Sequence, residues 1–331
     1  MSWQGPFACV VLWRQRVYHG RWPRSCQDSE VFLQDSTQNV TILRLPPSDQ
    51  RPPLFVVGDV HGCSRELEAL LVKAKAKMAD FQLVLVGDLF TKGPDPVGVF
   101  QIIQDWKAIC IKGNHDWALW STLLHVQRKG NTHFPEHTKQ TLHLIRYHKR
   151  AIFELLAQLP HVLKTTIIPS NHRKHWETKY DAYVVHAGID ARRGAEKTSE
   201  RMLLTARYFH WDQTGEEPKL VLVPSGHRSE VMGQPQTGFW SSVEKFRWHE
   251  LHNGPELIVF GHDAKQGLFR KTLPSGRPIC VGIDTGCTYG RSLTGYFLEF
   301  DEAVQVEAQR TYFDIFKNVI LTRPQNSKAV V

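Results

Sequence analysis

At 331 residues, with 41% hydrophobic and 22% charged residues, the chain has the composition of an ordinary globular protein and the length to bury a substantial core. That excludes a wholly disordered chain. The absence of any apolar run near bilayer length excludes a spanning helix and a membrane partner. The six cysteines form no C-x-x-C pair, so reduced, buried thiols in an intracellular protein are expected rather than a disulfide framework.

The net charge of +8 is concentrated. Between His125 and Lys179 there are ten Lys and Arg against three Glu. A basic region near a site suits a polyanionic substrate and would steer it inward. A solvated basic helix face gives the same pattern.

Residues 1–52 read as a weakly structured N-terminal extension. Arg14, Arg16, Arg21 and Arg24 precede the first acid, Asp28. Such a start permits a mitochondrial transit peptide. Pro23 and the scarcity of hydroxyls favour an ordinary extension on a cytoplasmic protein. A short strand is expected at 40–45, closed by Pro46-Pro47 and Pro52-Pro53.

The principal domain is expected over 53–301. A buried strand at 54–57 stops at Gly58, and Asp59 and His61 follow. Ser64 is a candidate N-cap for a helix over 65–78, whose apolar stripe runs through Leu67, Leu70, Leu71 and Ala74. A second strand at 82–86 ends in Gly87-Asp88, and a helix follows at 96–106. A third strand at 107–111 ends in Gly113-Asn114-His115-Asp116. This is a β-α-β-α-β array, which places the fold in the α/β class. Helices at 115–129 and 136–159 belong to a basic helical insert over about 117–180. A strand at 182–185 ends at His186, a helix covers 200–209, and a strand at 257–260 ends at His262. Strands follow at 267–273, 278–283 and 295–300. Residues 302–331 read as a C-terminal strand (304–308) and a tail. The Gly-, Pro- and Trp-rich stretch 214–255 carries no clear pattern.

Five apolar strands therefore end in residues that can ligate a metal: Asp59 and His61, Asp88, Asn114 and His115, His186, and His262. Oxygen and imidazole donors of this kind suit divalent ions of borderline hardness. Any single histidine among 17 is more often a core or surface residue. Five coincidences with flanking glycines are harder to dismiss.

The ordered set Gly58-Asp-Val-His-Gly62, Gly87-Asp88 with Gly93, Gly113-Asn-His-Asp116, His186-Ala-Gly188 and Gly261-His262 resembles the motifs of the calcineurin-like metallophosphoesterases. Gly87-Asp-Leu-Phe-Thr-Lys-Gly-Pro94 and Gly282-Ile-Asp-Thr-Gly-Cys-Thr-Tyr-Gly290 resemble the ApaH-like branch, which includes symmetrical diadenosine tetraphosphatases and endopolyphosphatases. The resemblance covers roughly residues 54–300. It implies a β-sandwich core flanked by helices and a centre of two divalent ions, Mn, Zn, Fe or Co. Asp59 and His61 would hold one ion, Asn114, His186 and His262 the other, and Asp88 both. Water held between the ions would attack phosphorus in line. His115 would be the general acid, and Lys92 would stand where many relatives have Arg, as a point charge on phosphate. Arg207 and Arg291 are further phosphate candidates.

Protein phosphatases of the superfamily carry Asp at the position of Thr91 and Glu at that of Asp116. Both departures favour the ApaH-like branch. The expected activity is hydrolysis of inorganic polyphosphate or dinucleoside polyphosphates. A Ser/Thr phosphatase-like phosphomonoesterase and an mRNA-cap hydrolase are the alternatives, with RNA a partner only as a capped substrate. Trp117, Trp120, Trp176, Trp240 and Trp248 could stack a base, although buried structural tryptophan is the commoner role.

Overall fold

The elements follow the apolar runs closely. In chain order they are β1 (Ile42–Arg44), β2 (Leu54–Val57), α1 (Ser64–Lys77), β3 (Gln82–Leu85), α2 (Pro96–Asp105), β4 (Ile109–Cys110), α3 (Asn114–Lys129) and α4 (Lys149–Gln158). Next come β5 (Val162–Ile167), β6 (Tyr180–Val185), α5 (Glu200–Thr205), β7 (Tyr208–Asp212), β8 (Lys219–Leu222), β9 (Phe246–Arg247) and α6 (Trp248–Leu251). The last are β10 (Leu257–Phe260), β11 (Phe269–Thr272), β12 (Pro278–Gly282), β13 (Ser292–Phe297), β14 (Glu302–Glu307), β15 (Phe313–Asp314) and β16 (Val319–Ile320). The structure is a computed structural model describing residues 40–129, 141, 146, 148–169, 178–212, 219–223, 244–314 and 319–320.

Two sheets dominate. One has the order β14-β13-β2-β3-β4 and the other β1-β5-β6-β10-β12-β11. The period of two in β2 explains how they meet. Leu54 and Val56 join Val84 of the first sheet and Val184, Val259 and Val281 of the second in one core. Phe55 and Val57 face the opposite way, into a core closed by Leu67 and Leu70 of α1, Phe100 of α2 and Ile152 of α4. A third core seals the outer face of the second sheet with Leu203 of α5 and Trp248 of α6. The expected β-sandwich flanked by helices is the observed architecture. Strands β2, β3 and β4 are parallel, as are β6, β10 and β12, so their C-terminal ends point one way in each sheet.

Several local expectations change. β1 pairs in parallel with β5, so the second sheet begins before residue 53. β14 pairs with β13 along its whole length, which carries the first sheet past residue 301. β5 was not anticipated, and it makes the insert over about 117–180 only partly helical. Lys164 on β5 is held by Asp181 and Glu196, which removes it from the free basic charge. The helix expected over 200–209 ends at Thr205, because Ala206 turns to extended backbone and Tyr208 enters a strand. Within 214–255, β8 and β9 flank β7 in a small sheet. Of the helix expected over 136–159, the residues from Lys149 to Gln158 are helical; most of its first half lies outside the described residues, as do Arg173, Lys174, Trp176 and Trp240. Cys63, Cys110, Cys280 and Cys287 are free and buried. Among the described residues no helix is long and apolar enough to cross a membrane.

A buried ion pair ties the sheets at the start of β2. Arg51 Nη1 meets Glu299 Oε1 at 2.6 Å, and Arg51 Nη2 donates to Thr165 on β5 at 3.0 Å. Glu299 Oε2 accepts the Leu54 N–H at 2.8 Å. Removing one partner of such a pair strands the other charge. Glu299→Ala should therefore lose about 3–5 kcal/mol in denaturant unfolding, and an Arg51→Met, Glu299→Leu double variant should recover much of it.

Candidate metal centre

The side chains expected as ligands sit just past strand ends: Asp59 and His61 after β2, Asp88 after β3, Asn114 and His115 after β4, His186 after β6, and His262 after β10. Close packing explains two of the flanking glycines. A Cβ at Gly261 would lie 2.2 Å from Asp59 Oδ1, and one at Gly113 would lie 2.3 Å from Asp88 Oδ1. His61, Asp88 and His262 have φ of 47°, 53° and 67°. This left-handed backbone costs about 1–3 kcal/mol at each non-glycine residue, and such strain gathers at functional sites.

Hydrogen bonds between loops offset that cost. His61 N–H donates to the Asp88 carbonyl at 2.7 Å, and Gly62 N–H to that of Leu89 at 2.8 Å. Gly261 N–H donates to the His186 carbonyl at 2.8 Å. Two further bonds cross between the sheets: His262 N–H to Asp59 Oδ1 at 3.0 Å, and His186 Nδ1–H to the Val86 carbonyl at 2.8 Å.

Asp88 is central. Its Oδ2 lies 3.4 Å from His61 Nε2, and its Oδ1 lies 3.5 Å from His186 Nε2. The His115 N–H at the start of α3 donates to Oδ1 at 2.9 Å. Asp88, His186 and His262 offer ligand atoms within 4.8 Å of one another, and so do His61, Asp88 and His115. Asp59 Oδ1 accepts the His262 N–H, and the Asp59 carboxyl also lies within hydrogen-bonding reach of Asp88.

The residues fit a cation. Donation from His186 Nδ1–H leaves Nε2 as a lone pair, and Asn114 Oδ1 faces it at 2.9 Å. Two lone pairs this close repel unless a cation draws both, as it does for neighbouring ligands of one ion. His262 Nε2 is buried with no hydrogen-bond partner. Burial lowers the His186 pKa to about 4 and holds that of His262 well below its usual value, so both imidazoles are neutral, as ligation requires. Burial raises Asp88 to about 6 against the opposing Lys92 charge. Burial, then the charges of Asp284 and Asp88, pushes Asp59 well above the carboxylate range. A divalent ion reverses these carboxylate shifts.

The sequence marks Asp116 only as a departure from Glu and Asp284 only as part of a motif, and gives neither a role in the site. Asp116 accepts N–H groups from Asp88 at 2.7 Å, Leu89 at 2.9 Å and Gly113 at 3.0 Å, and so fixes the loop that carries Asp88. Asp284, raised to about 6 by burial, adds a carboxylate close enough to raise Asp59 and to be raised in turn by Asp88. Thr91 Oγ lies 3.2 Å from His61 Nδ1, so this hydroxyl orients His61. Lys92 is buried, with Nζ 3.2 Å from His61 Nε2 and 3.0 Å from the Tyr289 hydroxyl. Arg207 lies between α5 and β7, not on a helix, and donates to the His262 carbonyl at 2.8 Å. Arg291 is exposed and donates to the Ala264 carbonyl, two residues beyond His262. Trp248 is a core residue against Phe260.

A two-sheet sandwich with buried Asp and His side chains and a half-buried Asn at its strand ends defines a metallophosphoesterase. The chain belongs to the calcineurin-like phosphoesterases, whose family pattern matches residues 52–266. It is a hydrolase of phosphate esters or anhydrides, in a family that uses divalent metals. It is similar to the asymmetrical bis(5'-nucleosyl)-tetraphosphatase PrpE of Oceanobacillus iheyensis, with 25% identity over 78% of this chain and 93% of the relative. Similarity to the symmetrical bis(5'-nucleosyl)-tetraphosphatase of Actinobacillus pleuropneumoniae is 27% over 72% of this chain and 93% of that protein. A crystal structure provisionally described as a diadenosine tetraphosphatase aligns with a TM-score of 0.57 and 25% identity, covering 81% of this chain and 98% of that one.

Because Gly261 leaves no room for a Cβ beside Asp59, Gly261→Ala should lower the bound metal per chain, measured by elemental analysis. Far-ultraviolet circular dichroism should stay that of the parent.

Proposed function

We propose that the chain hydrolyses phosphoanhydride bonds, with dinucleoside polyphosphates the first substrate class, at a centre of two divalent ions sharing Asp88. The observation that carries this reading is the single Asp88 carboxylate, which turns one oxygen to His61 at 3.4 Å and the other to His186 at 3.5 Å. Asp59 and His61 would hold one ion, and Asn114, His186 and His262 the other. Mn, Zn, Fe and Co all suit this mixed oxygen and nitrogen set. Bound ions supply an activated water and charge neutralisation at the phosphoryl oxygens.

The chain's own residues do the rest. His115, half-buried with its ring 5.2 Å from that of His61, would give its proton to the leaving oxygen. The Lys92 ammonium now meets His61 Nε2. With that nitrogen given to an ion, Lys92 would be free to meet a phosphoryl oxygen as a point charge. Arg207, anchored beside His262, adds positive charge that Asp88, His186 and His262 feel.

The tetraphosphatase names of the similar bacterial proteins support a nucleotide polyphosphate. Inorganic polyphosphate and capped RNA contain the same bond. The deciding experiment supplies the purified chain with each metal and offers diadenosine tetraphosphate, long-chain polyphosphate, capped RNA and a phosphopeptide. Highest kcat/KM on the dinucleotide is the expected result; preference for the phosphopeptide would sink this reading.

Asp88→Asn should keep the fold and reduce turnover below detection, measured with circular dichroism alongside phosphate release. His115→Asn should cost about 10²–10⁴-fold in kcat on a nucleotide leaving group, and much less on a nitrophenyl ester whose leaving group needs no proton.

A further inference from the structure

A second cluster lies beside the His and Asp centre, and the chemistry above does not use it. Cys63 precedes α1, Glu66 stands in the first turn of α1, and Cys287 follows β12; all three are buried. Their two sulfurs and one carboxylate oxygen lie within 4.8 Å of one another. The oxygens of Glu66 are unequally served. Oε1 accepts the Gln309 N–H at 2.9 Å and the Tyr312 O–H at 2.6 Å. Oε2 is buried and has no partner. The Thr288 hydroxyl is also buried, and the weak Cys63 thiol is what faces it. Leaving such groups unmet costs about 1–3 kcal/mol each, and more for a charged one.

We propose that Cys63, Cys287 and Glu66 hold a thiophilic divalent ion of the zinc type, with the Thr288 hydroxyl closing the fourth position. Two sulfurs and an oxygen are ligand types that zinc accepts in tetrahedral sites. Zn–S bonds of about 2.3 Å put two ligating sulfurs roughly 3.8 Å apart, within the present spacing. On binding, each thiol releases its proton to solvent, and the two thiolates balance the dication. Glu66 adds a further negative charge, which the two donors on Oε1 offset only in part. No ligand is shared with the first centre, and the donors are softer, so the two sites would select different metals. The ion would clip the loop of Asp59 and His61 to the loop of Asp284, since Cys63 lies two residues beyond His61 and Cys287 three beyond Asp284.

Cobalt tests this, because sulfur-to-cobalt charge transfer in the near ultraviolet requires a thiolate ligand and the first centre has none. The full chain, stripped by chelator under reducing conditions, is titrated with Co²⁺. A charge-transfer band that saturates is expected. It should persist in Asp88→Asn and in a Cys9→Ser, Cys26→Ser double variant, and be lost in Cys287→Ser. Cobalt binding without that band in the unmodified chain overturns the proposal, and this result does not depend on any variant folding. A band that survives Cys287→Ser overturns it equally.

Discussion

Three carboxylates, Asp59, Asp88 and Asp284, are buried within electrostatic reach of one another, and the rest of the structure answers that constraint. Burial alone lifts their proton affinity, and the like charges of Asp284 and Asp88 lift Asp59 further. Buried charges persist in proteins when they are paired or coordinate metals. Lys92 supplies one opposing charge, Arg207 another from farther away, and backbone N–H groups of His115, His262 and Gly286 supply dipoles. The neutral imidazoles of His186 and His262 complete an environment that is anionic and lone-pair-rich. Sheets, glycines and strained backbone are the means of holding these groups together without a side chain between them.

Thr91 and Lys92 show how this branch differs in its physics. A carboxylate at residue 91 would add another negative charge to an already crowded centre. The hydroxyl of Thr91 instead orients His61 without adding charge. Lys92 has its ammonium between His61 and Tyr289, near the faces of Tyr289 and Phe313. A flexible point charge framed by aromatic rings can follow a phosphoryl oxygen, whereas a guanidinium fork would fix its approach.

The sequence reveals the site more fully than its supports. Asp59, His61, Asp88, Asn114, His186 and His262 are legible because each follows an apolar run and lies within two residues of a glycine, and the reason for two of those glycines is the absence of space for a Cβ. The role of Asp116 is not legible. An acid in a first helical turn is what any helix favours, and its task depends on N–H groups of Asp88 and Leu89, 28 and 27 positions away. Asp284 sits in a legible motif, yet its effect depends on which carboxylates the other strands bring near it. Strand β5 escapes notice because Lys164 and Thr166, its partly exposed positions, continue the basic, polar character of the segments before it. Strand β7 reads as the end of a helix because Leu203 and Leu204 set up a helical rhythm that the extended backbone at Ala206 breaks.

The hydrogen bond from His262 to Asp59 joins residues 203 positions apart. A centre assembled from such distant segments cannot form until both sheets have docked, because loop closure precedes any reward from non-local contacts. A divalent ion that recognises the finished centre therefore binds the native state far better than any early species. Its concentration becomes a folding variable: apparent stability rises by RT ln(1 + [M]/Kd) as free metal increases. Cellular metal supply would then govern how much of the protein survives as folded chain, as well as how fast each chain turns over.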